Sequence, residues 1–162
     1  MTSTVFDSRL FRDMFGTVEM RAIFDDAALV GRYVEAERAL ARAQARCGAV
    51  PREAAAAIDR AGRDLAIDFD RLRRETEIVG YPILPLVHQL SEAAGEAGGF
   101  VHWGATTQDI MDTANVLQVR AALELVDRDL ATLAGILSAL AAKHRDTPMA
   151  GRTHLQQALP IT

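Results

Sequence analysis

From Gln108 to about His144 the chain runs without a proline and with a single glycine, Gly135. Val116, Val119, Leu123, Val126, Leu130, Leu133, Leu137 and Leu140 recur at alternating spacings of 3 and 4 along it. That repeat is the a/d seam of a helix that packs against other helices, kept for more than three heptads. At 1.5 Å per residue, such a helix spans ~55 Å. A compact domain of 162 residues is only roughly 40 Å across. The helix is therefore expected to protrude, and its Val/Leu seam needs partners from another subunit or from further sequence. A hairpin folded back at Gly135 is the alternative.

The rest of the chain also reads as helical. Alternating β-branched runs are missing, so the expected class is all-α. Residues 4–24 hold Phe6, Leu10, Phe11, Phe15 and Phe24 among charges, and Gly16-Thr17 reads as a break between short helices and turns. Asp25 and Asp26 can cap a helix that runs to about Cys47 and stops at Gly48. Pro51 suits the first turn of a helix over 51–61. Asp68 caps a third over about 69–79, and Gly80 and Pro82 precede a fourth over 83–97. The expected division is an N-terminal helical domain, 1–105, followed at 106–162 by the start of a central helical bundle.

Composition narrows the function classes. The net charge of −4 argues against a nucleic-acid or polybasic membrane surface. Cys47 is the only cysteine, which excludes an internal disulfide and a cysteine-based zinc site and suits a cytoplasmic setting. The N-terminal stretch MTSTVFDSRLFRDMF lacks the apolar core of a signal peptide, and no apolar run approaches the ~20 residues of a membrane span. The four histidines form no HxxxH pair, so no metal is expected. No GxGxxG or P-loop is present, so no nucleotide cofactor is expected either.

Two polar, glycine-containing segments stand out from the helical background. In the first, Thr106, Thr107 and Asp109 sit at the start of the long helix. A threonine there can simply cap the helix. The same free amides and hydroxyls can also hold a carboxylate or phosphate, and Gly104 lets a ligand approach the backbone. In the second, His154 follows Arg152 and Thr153. An imidazole titrates near neutrality and can move protons, with Arg152 and Thr153 holding an anion beside it. An exposed loop histidine without a role is the alternative. His102, beside Trp103 and close in sequence to the threonines, can line the same pocket, with packing or capping the stronger expectation, and His88 is expected to be structural. His144 is placed in the last turn of the long helix, where a cation favours the helix dipole.

HWGATTQDIMDTA resembles the first shared region of the fumarase/aspartase superfamily, whose core is T-S/T-x-D. GRTHLQQALPIT resembles the second, G-x-T-H-x-Q-x-A-x-P. The stretch FDSRLFRDMFGTVEMRAIFDDAALVGRYVEAERALARAQARCGAVP is similar to the start of the 3-carboxy-cis,cis-muconate cycloisomerase branch. The resemblance implies an enzyme without cofactor that forms 4-carboxymuconolactone in aromatic catabolism. Thr106, Thr107, Arg152 and Thr153 would hold a small polycarboxylate, and His154 would be the acid/base group. It further implies a homotetramer built through the long helices, with each active site drawn from three subunits. A serine-bearing loop of form G-S-S-x-M-P-x-K-x-N is not found here, so this chain alone is expected to be inactive. His154 is a departure from many cycloisomerases and is kept in C–N and C–O lyases. The alternative is thus an adenylosuccinate lyase-like or other lyase that releases fumarate. Met14-Phe15 stands where adenylosuccinate lyases carry an Arg-Tyr pair, and Tyr81 near a catalytic histidine of theirs. A further alternative is a non-catalytic helical association fragment.

Overall fold

The computed structural model describes residues 4–162; the first three residues of the expected 1–105 domain and of the N-terminal stretch lie outside them. A short 3₁₀ turn, Arg12–Met14, leads to α1 (Val18–Ile23). Then come α2 (Asp26–Arg46), α3 (Arg52–Asp64), α4 (Phe69–Val79), α5 (Ile83–Ala94), a 3₁₀ segment Gly95–Phe100, and α6 (Thr107–Lys143). The all-α class holds, with one addition. Strands β1 (Met149–Thr153) and β2 (Gln156–Ile161) form a small antiparallel hairpin.

The local signals act as expected at most helix ends. The carboxylates of Asp25 and Asp68 accept the amides of Ala28 and Arg71 at 2.7 and 2.8 Å, closing the first turns of α2 and α4. Gly80 ends α4 in a left-handed conformation with φ +92°. The fourth helix is shorter than its pattern, because Gly95 takes φ +59° and the chain tightens into the 3₁₀ segment. Gly98 cannot be replaced there without displacement, since a Cβ would fall on the carbonyl oxygen of Ser91. The expectation of a possible hairpin at Gly135 is not met, as α6 runs through that residue.

The chain divides into two compact units, Met1–Ala122 and Leu123–Thr162. They part within α6, whereas the boundary expected from sequence lies at the turn before it. In the first unit, α2 lays its apolar stripe against α4, α5 and the start of α6, around Val30, Tyr33, Leu72, Ile83, Leu86 and Ile110. Its C-terminal half packs with α3 and the 3₁₀ segment through Ala41, Val50, Ile58, Leu90 and Val101. Polar bonds fix the joints. The Gln89 side chain takes the Asp68 amide at 2.9 Å and gives to the Asp68 carbonyl at 3.1 Å. Gln118, buried on α6, donates to the carbonyl of Ile23 at 2.7 Å. The eight seam residues of α6 are 40–66% exposed, so their apolar ridge faces solvent. No helix among the described residues is long and apolar enough to cross a membrane.

Candidate active site

The first polar segment is a turn over 101–106 that feeds α6. Buried Val101 anchors it, and His102 and Gly104 reverse the chain with φ +58° and +67°. At the helix start the Asp109 carboxylate accepts the Thr106 amide at 2.9 Å, while the Asp109 amide donates to the Thr106 carbonyl at 3.1 Å. This is half of a capping box, with Asp109 reaching back. The threonine cap expected from sequence is not made; Asp109 satisfies only the amide of Thr106 itself. Neither the Thr106 nor the Thr107 hydroxyl has a hydrogen-bond partner among the described residues, and the amides of Thr107 and Gln108 have no backbone partner there. Thr106 is exposed and Thr107 half-buried. A hollow of about 450 Å³ lies alongside, lined by Leu40, Gly104, Ala105, Asp109 and Thr113 among others. Free donors at a helix N-terminus suit an anion.

The second segment is the β1–β2 hairpin. Thr153 pairs with Gln156, so His154 and Leu155 form a two-residue loop. Their φ values of +41° and +63° are left-handed, as the tight hairpin turn of type I′ requires. Asparagine and glycine are the usual residues there; a histidine and a leucine carry strain of the kind found at functional sites. The loop projects the His154 imidazole into solvent, next to the exposed side chains of Arg152 and Thr153. Among the described residues Arg152 makes no ion pair and His154 no hydrogen bond. Thr106 and Thr107 belong to the first unit, and Arg152, Thr153 and His154 to the second.

The structure also shows a pair that the sequence reading missed. His102 Nδ1 lies 2.5 Å from Oε1 of Glu37, a carboxylate only 1% exposed. Burial pushes the Glu37 carboxyl above the ordinary range, and the hydrogen bond and charge of His102 draw it part of the way back. Seven residues along α2, Gln44 donates to the Trp103 carbonyl at 2.5 Å. The signal was an acidic residue inside an apolar stripe: Val30, Tyr33, Val34, Glu37 and Ala41 share the buried face of α2. Asp59 on α3 has the same character, held by Arg38, Arg42 and Arg63. His88 and His144 make only long contacts, at 3.9 Å to Glu75 and 3.3 Å to Thr147. No group of three or more His, Cys, Asp or Glu among the described residues could hold a metal.

An anion-suited helix start in the first unit and a histidine-bearing bend in the second are the features this chain offers to acid/base chemistry on an anion. Comparison with known proteins then gives the family. Residues 13–162 match the lyase family, and the chain belongs to it. It is 61% identical to the fumarate lyase of Mesorhizobium sp. BNC1, with a TM-score of 0.85 over 88% of this chain and 34% of that one. It is 45% identical to 3-carboxy-cis,cis-muconate cycloisomerase of Pseudomonas putida, over all of this chain and 38% of that protein. It is 41% identical to N-acetyl-S-(2-succino)cysteine lyase of Enterococcus italicus, over all of this chain and 36% of that protein. The chain thus spans about a third of the length of the relatives it matches.

Proposed function

We propose that the protein carrying this chain is a cycloisomerase that converts 3-carboxy-cis,cis-muconate to 4-carboxymuconolactone. The observation that carries the reading is the start of α6, where two unpartnered threonine hydroxyls and the amides of Thr107 and Gln108 stand together. In this reading one carboxylate of the substrate adds to a double bond, forming the C–O bond of the lactone. The electron pair displaced from that bond moves to the carbon beside another carboxylate, which becomes a dianionic aci form until that carbon takes a proton. Oriented amides, hydroxyls and a guanidinium stabilise such charge without a metal. Thr106 and Thr107 hold a substrate carboxylate, Arg152 and Thr153 a second, and His154 handles the proton. The two sets meet through self-association along the α6 ridge, whose Val and Leu residues face solvent in the single chain.

The similarity to a succinocysteine lyase at 41% identity supports a second reading, elimination from a succinyl-bearing substrate. There a proton leaves the carbon beside a carboxylate and the group on the β carbon departs. One substrate panel separates the two. Loss of 3-carboxymuconate absorbance with lactone formation is the expected result. Turnover only of succinyl-amines or succinyl-thiols would transfer the protein to the second reading, and turnover of neither would end both.

A further inference from the structure

We infer that Glu37 is a positioning residue of the candidate active site, holding the His102 imidazole so that its Nε2 meets the anionic substrate beside the first turn of α6. The inference rests on the proposed reading of that helix start as a carboxylate-binding end. Its own ground is the geometry of the pair. Glu37 is buried inside an otherwise apolar face, one oxygen bonds His102 Nδ1 at 2.5 Å, and Oε2 is buried without any partner. A buried carboxylate with an orphan oxygen is a poor source of stability, and an apolar residue of similar volume would serve the core as well or better.

The pair does fix one thing, the orientation of the ring. With Nδ1 committed to the buried carboxylate, Nε2 lies across the ring and points away from it. The His102 side chain is 17% exposed, and Nε2 has no partner among the described residues. The backbone of His102 is held at φ +58°, a conformation uncommon outside glycine, and the bond from Gln44 to the Trp103 carbonyl clamps the next residue. Two side chains on one face of α2 therefore set two successive residues of the turn that enters Thr106 and Thr107. Removing a carboxylate that orients a metal-bound histidine costs about 10–100-fold in affinity or activity, and holding this ring by the same kind of bond is expected to matter on the same order.

The test uses the protein carrying this chain with 3-carboxymuconate as substrate. Glu37→Gln preserves shape and removes the charge. It is expected to lower kcat/KM by about 10–100-fold. His102→Gln is expected to lower it at least as much, and the double variant no further than His102→Gln alone, since the two act as one unit. A packing role predicts the reverse: a lower melting temperature with kcat/KM of the folded protein within twofold, or losses that simply add. Should Glu37→Gln not fold, nitrogen-15 spectra of the wild-type chain titrated with tricarballylate decide. Movement of the His102 Nε2 resonance together with the Thr107 amide supports the inference. Movement of Thr107 without His102 overturns it. Absence of both removes the carboxylate-binding reading on which it stands.

Discussion

Asp59 shows how one residue can combine a liability with an anchor. Its carboxylate is 7% exposed on the α3 face that meets α2. Burial works to raise its pKa, but hydrogen bonds from Arg42 and Arg63 and the charges of Arg38 and Arg63 outweigh it and hold the group below the usual carboxylate range. A depressed folded pKa means that the ionised form binds the fold. The contribution is therefore complete at neutral pH, starts to fall as pH drops below the ordinary aspartate value, and is gone once pH has passed below the folded one. Asp59→Asn should destabilise by ~2 kcal/mol at pH 7, a figure reduced because the arginines are partly exposed. Between neutral pH and about 3 the variant should lose less stability than wild type; equal slopes in urea melts across that range would contradict this account. His154 poses the opposite case, a side chain that does nothing for the fold. His154→Asn should leave the melting temperature unchanged or slightly raised, since asparagine suits the left-handed turn, and lower kcat by ~100-fold or more, measured on 3-carboxymuconate. A variant with wild-type turnover would remove His154 from the proposed proton transfer.

At the scale of elements, α6 makes the sharpest prediction. Full burial of a leucine is worth ~1.5–3 kcal/mol. Replacing Leu130 or Leu137 by glutamate should weaken self-association at the ridge by on the order of 100-fold. Sedimentation velocity reads this directly, and an unchanged species distribution would show that the ridge is not the contact. The helices themselves were legible because their signals are local: Asp25 and Asp68 at starts, Gly48 and Gly80 at ends, and a seam repeat too regular to be anything else. The shortening of α5 was not, since it depends on the left-handed turn at Gly95 and on the backbone contact between Gly98 and Ser91. The hairpin was not legible either. Gln157, Ala158 and Leu159 have no strand alternation, and the pairing to residues 149–153 is made through backbone bonds that side chains do not announce. Of the candidate site, the two polar bends were visible as breaks in helical pattern. The Glu37–His102 pair was hidden because it joins residues 65 apart in sequence.

For the molecule as a whole, the two units differ in what holds them. The first has a two-part apolar core and buried polar ties. In the second, of the described residues only Gly151 is buried. The sequence family is shared with proteins about three times as long, and with more than one named activity. On the proposed reading, substrate choice is set by side chains at the bends and not by the helical frame. One consequence belongs to α6 alone. Its buried residues, Ile110, Ala114 and Gln118, come every fourth position and then cease, although the hydrogen-bonded spiral continues to Lys143. In deuterated water the amides around 110–118 should be retained far longer than those beyond 123, because opening the former requires dismantling a core and opening the latter does not. Added protein concentration or bound ligand should slow the labile stretch first, which would make deuterium uptake along this one rod a gauge of assembly.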